Sequence, residues 1–115
     1  MSGYRSLMHK VYDGARIRDS KRNLCIDVIV TSISGPTLHR KVDLKIISVI
    51  EPRSATLVYG EMGVQLEGGE ITVELSKKVI RRQGKQVRLN YYATSDWSIY
   101  SRKYNPDGTI KPRKQ

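Results

Sequence analysis

Three stretches of this chain alternate apolar and polar residues with a period of two, and that pattern constrains the fold more than anything else in it. Leu24, Ile26, Val28 and Val30 share one face of a strand over 24–33, with Cys25, Asp27 and Thr31 on the other. Val42, Leu44, Ile46, Ser48 and Ile50 share a face of a second strand, with Lys41, Asp43 and Lys45 opposite. Ile47 and Val49 make its second half apolar on both faces, which calls for cover on both sides. Val87, Leu89, Tyr91 and Ala93 alternate with Arg88, Asn90 and Tyr92. Successive side chains of an extended strand point to opposite sides, so each stretch reads as a strand with one face in a core.

Turn chemistry separates these runs. Ser34-Gly35-Pro36-Thr37 divides the first two strands, and Glu51-Pro52-Arg53-Ser54 ends the second. Ala55 to Tyr59 is a short strand closed by Gly60. Val64 and Leu66, then Ile71, Val73 and Leu75, flank Gly68-Gly69, a hairpin signal whose glycines suit positive φ. Gln83-Gly84 marks another turn, and Asp96 to Tyr100 is a last strand or a single helical turn.

The ends read differently. Tyr4, Leu7, Met8, Val11 and Tyr12 fall on one face of a helix over 3–13, with Ser2 as N-cap and Gly14 as stop. Residues 15–22, ARIRDSKR, lack an apolar period and read as a linker. The expected fold is mainly β: a small antiparallel barrel or sandwich of six to seven strands with a short N-terminal helix. One domain over 1–115 suits the length, with helix plus basic linker at 1–22 and a basic, partly flexible tail at 101–115.

Charge is unevenly placed. Residues 1–55 carry ten Lys and Arg against five Asp and Glu, residues 56–75 none against four, and residues 76–115 eleven against two. The net charge is +10, which draws a small protein to polyanions or anionic membrane surfaces. The acidic insert of Glu61, Glu67, Glu70 and Glu74 is a candidate for self-association, docking on the basic face of a neighbour or on the basic strand that follows it.

Catalytic chemistry is thin. His9 and His39 fall in different elements, and Cys25 has no base beside it in sequence. The glutamates lack calcium-loop spacing, no zinc set is spelled, and no phosphate loop is present. A non-enzymatic protein with no cofactor, no metal and no small-molecule substrate is expected. The single cysteine favours a reducing compartment, cytoplasm or nucleus. The segment MSGYRSLMHK has no long apolar run, and no stretch approaches the ~20 residues of a membrane span.

Lys77, Lys78, Arg81, Arg82, Lys85 and Arg88 place six cations in twelve residues. Arg102, Lys103, Lys111, Arg113 and Lys114 follow in the tail. Between them lie Tyr91, Tyr92, Trp97 and Tyr100, candidates for stacking on bases. Cations that neutralise phosphates and aromatics that stack bases are the ingredients of single-strand binding. The same cations suit an acidic lipid surface.

Two stretches carry a family resemblance. Val42 to Pro52 resembles the strand-then-Glu-Pro segment of bornavirus matrix proteins. Val87-Arg88-Leu89-Asn90, followed by Trp97-Ser98-Ile99-Tyr100-Ser101-Arg102, is similar in order and type to the C-terminal region of that family. A small viral matrix protein, of bornavirus or plant rhabdovirus type, implies a β-rich fold, self-assembly, and bridging of ribonucleoprotein to membrane within a virion. The expected function is therefore a basic structural protein that binds nucleic acid or ribonucleoprotein, an anionic membrane surface, or both, and forms homo-oligomers. The alternatives are a single-stranded RNA-binding accessory factor such as a viral silencing suppressor, and a protein-interaction domain.

Overall fold

Each alternating stretch is a strand with partners along its length. The computed structural model describes residues 3–48, 52–77, 86–94 and 96–112. Among them run nine strands: β1 (Gly3–His9), β2 (Asp13–Asp19), β3 (Leu24–Ser34), β4 (Lys41–Ile47), β5 (Arg53–Val58), β6 (Val64–Leu66), β7 (Ile71–Leu75), β8 (Val87–Ala93) and β9 (Trp97–Lys103). They form two antiparallel sheets, ordered β1-β8-β7-β6 and β5-β4-β3-β2-β9. The inner faces meet in one core, with Ile17, Val28, Leu44 and Leu57 from one sheet and Val73, Leu89 and Tyr91 from the other. This is a sandwich and not a closed barrel. Side chains tie the sheets at both edges: Arg5 Nη1 donates to the Ile99 carbonyl at 3.2 Å, and Arg53 Nη2 to the Gln65 carbonyl at 2.7 Å.

The expected N-terminal helix is not formed. Residues 3–9 pair with β8 from Gly3 opposite Ala93 to His9 opposite Val87. A helix of eleven residues is marginal alone, whereas the strand satisfies its backbone on β8 and places Leu7 against the core and His9 within it. The expected linker at 15–22 is also corrected. Its first five residues belong to β2, which lies between β3 and β9. Ala15 and Ile17 are its only aliphatic side chains, and both are fully buried. These two strands raise the count above the six or seven expected. The Gly68-Gly69 hairpin forms, with both glycines at positive φ inside a four-residue connection from Leu66 to Ile71.

The strand register divides the connections between two ends of the sandwich. One end carries the β1–β2, β3–β4 and β5–β6 connections and the point where the chain leaves β7 for β8. The other carries the β2–β3, β4–β5, β6–β7 and β8–β9 connections. No helix of the described residues is long and apolar enough to cross a membrane.

The C-terminal stretch, read as a tail in the sequence, is built into the fold as far as residue 112. Residues 101–103 belong to β9. Tyr104 is buried and its amide donates to the Tyr12 carbonyl at 2.8 Å. It pairs with Ile110 across a turn, and the Lys111 amide returns to the Lys103 carbonyl at 2.8 Å. The Tyr104 ring covers Gly14, where a Cβ would collide with the Val28 carbonyl and come within 3.0 Å of the ring. Gly14 therefore allows two layers to approach, rather than stopping a helix. The remaining tail cations, Arg113 and Lys114, lie outside the described residues.

His9 is a buried titratable group of the core. Its Nε2 lies 2.7 Å from the Tyr91 hydroxyl, and its Nδ1 has no hydrogen-bond partner. Burial pushes the imidazole down to about 4, against the opposing pull of the Asp13 carboxylate. The folded protein thus holds His9 neutral, while the unfolded chain protonates it near its ordinary value of 6.5. Its contribution is complete above that value and is lost as pH falls toward about 4, on the order of 3 kcal/mol in all. We predict that urea denaturation shows this loss in the parent chain. His9→Gln, which still offers an oxygen to Tyr91, should show a shallower decline over the same window.

Candidate nucleic-acid interface

The alternation Ala15-Arg16-Ile17-Arg18-Asp19 points Arg16 and Arg18 away from the core. Across the ladder, β9 sets Tyr100 opposite Arg16, Ser98 opposite Arg18, and Arg102 opposite Gly14. Three arginines and one tyrosine therefore share the outer face of two adjacent strands. Tyr100 is 41% exposed, and the Arg102 guanidinium lies 5.4 Å from its ring centroid. A cation against an aromatic face holds that guanidinium in place. Arg102 Nη1 also donates to the Ser101 carbonyl at 2.9 Å.

The three arginines differ in what neutralises them. Arg16 grips Asp27 with two parallel bonds, from Nε at 2.9 Å and Nη2 at 3.1 Å. That hydrogen bonding holds its guanidinium above the ordinary arginine range. Tyr104 donates its hydroxyl to the same carboxylate at 2.7 Å. Burial, then this bond, pushes the Tyr104 phenol well above its ordinary value. Asp27 is thus a buried hub joining β2, β3 and the C-terminal arm. Arg18 and Arg102 form no ion pair among the described residues, so both are available to a phosphate. Cys25 faces outward beside Arg18, and burial pushes its thiol up, away from the reactive thiolate form.

Of the cations expected from sequence, those among the described residues do not gather on this face. Arg102 is on it. Arg88 lies on the outer face of the other sheet, where its Nη1 donates to Ser6 Oγ at 3.3 Å. Lys103 pairs with Asp13 at 3.3 Å. Lys111 is exposed on the C-terminal arm, and Lys77 is exposed where the chain leaves β7. Lys78, Arg81, Arg82 and Lys85 lie outside the described residues.

The stacking candidates also separate. Tyr91 is fully buried against His9, and burial pushes its phenol far up. Trp97 is 4% exposed, with the Arg22 guanidinium 5.3 Å from its ring centroid. Neither ring is open to a base. Tyr92 is exposed but packs on Tyr4, centroids 4.9 Å apart, and donates to Glu74 at 3.0 Å. Tyr100 is the candidate beside unpaired arginine.

The glutamates of the acidic insert divide in the same way. Glu70 receives Arg22 through Nη2 at 2.6 Å and Nη1 at 3.1 Å, and Trp97 Nε1 at 3.3 Å. The Arg22 bonds, followed by the indole bond, hold its carboxyl below the usual range. Arg22 also reaches the buried Asp19 at 2.7 Å, so one guanidinium joins both sheets at this end. Glu74 accepts from Asn90 and Tyr92. Glu61 and Glu67 form no ion pair among the described residues, and they lie at opposite ends of the sandwich.

Cys25 is the second residue of β3, whereas His39 sits in the turn beyond its far end, roughly 30 Å along an extended strand. A Cys25–His39 pair is therefore not formed. Among the described residues no three His, Cys, Asp or Glu side chains gather where they would hold a metal ion.

The arginine face of β2 went unread in the sequence because two buried aliphatics are too few to mark a strand. The available signal was the alternation of Arg16 and Arg18 with Ala15 and Ile17. No family model, curated protein or solved structure compared with this chain matches it.

Removing the hydroxyl in Tyr104→Phe leaves the ring over Gly14 but takes one donor from Asp27. We expect a loss of about 1–2 kcal/mol, read as a melting temperature lower by roughly 5 °C.

Proposed function

We propose that this protein is a non-enzymatic, basic structural protein that binds single-stranded nucleic acid on the outer face of β2 and β9. The observation that carries the reading is the pair of unneutralised arginines, Arg18 and Arg102, around the exposed Tyr100 ring. Guanidinium groups donate two parallel N–H bonds to phosphate oxygens in a planar geometry, and a tyrosine ring offers a sequence-tolerant stacking surface. Nothing on this face forms a pattern for reading base edges, so the binding is driven by backbone charge and is salt-sensitive. The net charge of +10 supports the same reading at long range.

A structural role resembling that of small viral matrix proteins combines this binding with self-assembly. Glu67 forms no ion pair among the described residues, which leaves a carboxylate to meet a cation of another copy in a head-to-tail contact. The accessory RNA-binding reading uses the same face without assembly, and sedimentation at low salt separates the two.

Fluorescence anisotropy with a labelled single-stranded oligonucleotide tests the site. Arg18→Glu with Arg102→Glu should weaken binding at least tenfold, and each lost phosphate contact should flatten the salt dependence by about 0.7 in log–log slope. Arg81→Glu, Arg82→Glu and Lys85→Glu together serve as the competing patch. If that triple variant loses binding while the Arg18/Arg102 variant keeps it, the β2–β9 face is not the site.

A further inference from the structure

We propose that the end of the sandwich carrying the β1–β2, β3–β4 and β5–β6 connections docks on an anionic lipid bilayer. Each of these three connections lifts one aliphatic side chain into solvent. Val11 is 36% exposed, Leu38 61% and Met62 90%. They come from different parts of the sequence and reach the same end only because the strand order brings them there.

Hydrogen bonds hold these connections together. The Tyr12 amide donates to the Val30 carbonyl at 2.6 Å, fixing the β1–β2 turn on β3. The Tyr59 amide donates to the Arg40 carbonyl at 3.0 Å, joining the β5–β6 connection to the turn that bears Leu38. The Tyr59 hydroxyl donates to the Lys77 carbonyl at 3.2 Å, drawing the end of β7 to the same place. The apolar tips are therefore carried on a backbone built from both sheets.

Around the tips stand Lys10, Arg40, Lys41 and Lys77, none in an ion pair among the described residues. Glu61 is the only carboxylate in the three connections. The nearby Asp13 is taken by Lys103 at 3.3 Å.

Charge and shape together select the occupant. A second copy presenting this same end would bring like charges together. Nucleic acid would meet the cations but would find no use for aliphatic tips, which neither stack nor hydrogen-bond. Isolated apolar side chains exposed on connections fit a bilayer interface, whose acyl boundary accepts any shape while anionic headgroups meet the surrounding cations. This site is separate from the β2–β9 face and does not depend on it.

The test is co-sedimentation of the full chain with phosphatidylcholine vesicles, with and without phosphatidylserine. We expect binding to the anionic vesicles, reduced at least about tenfold in the double variant Leu38→Ser, Met62→Ser by the loss of two inserted side chains. The melting temperature should stay unchanged, since both positions are exposed. Equal binding by the variant and the parent would overturn the proposal, as would equal binding to vesicles lacking phosphatidylserine. If the double variant instead loses self-association and keeps vesicle binding, the tips serve a second copy and the proposal fails. Arg18→Glu with Arg102→Glu should bind vesicles like the parent; loss there would move the lipid contact to the β2–β9 face and overturn this one.

Discussion

The architecture depends on strand β2 being sandwiched on every side. Its backbone is paired with β3 and β9. Ala15 and Ile17 fill the core beneath it, and Tyr104 closes over Gly14 above it. A strand with Arg16 and Arg18 on its outer face and only two aliphatics below has little hydrophobic drive of its own. What compensates is the Asp27 carboxylate, which takes two bonds from Arg16 and one from Tyr104. A buried carboxylate without such partners would be strongly destabilising. With them, it fastens the C-terminal arm to the sheet and holds Arg16 in place.

A second polar junction lies at the turn end of the same β2–β3 hairpin. Arg22 reaches Asp19 on β2 and Glu70 between β6 and β7, and covers Trp97 at the start of β9. It closes one end of the sandwich, where the hairpin tips of both sheets meet. The result is a molecule with distinct surfaces. One end is closed by paired charge, the other carries unpaired cations around apolar tips, and one outer face presents arginines beside a tyrosine.

Much of the β framework was legible in the sequence. The alternation at 24–33, 42–50 and 87–93 marked β3, β4 and β8, and Gly68-Gly69 marked the β6–β7 turn. The first two strands were not legible, for different reasons. In β1, Tyr4, Leu7 and Met8 satisfy a helical spacing, yet pairing with β8 places Tyr4 and Met8 on one side and Leu7 on the other. In β2, only two aliphatic side chains are buried, so the hydrophobic signal is too short to detect. Trp97 and Tyr91 illustrate the matching difficulty for the site. Aromatic residues near cations suggest stacking, but whether a ring is open depends on which side of its strand faces the core.

The sequence alone determined the chemical inventory: excess positive charge, an absence of Phe with seven Tyr, one Cys, and enough period-two alternation to require sheets with a single buried face. These are local or additive properties that any arrangement of the chain must retain. Only the tertiary structure decided which charges survive unpaired and which residues share a surface. Arg16, Arg22 and Lys103 are neutralised by carboxylates distant in sequence or on neighbouring strands, whereas Arg18 and Arg102 are not. Pairing across a ladder is long-range, and one step in register would exchange the inward and outward sets of side chains.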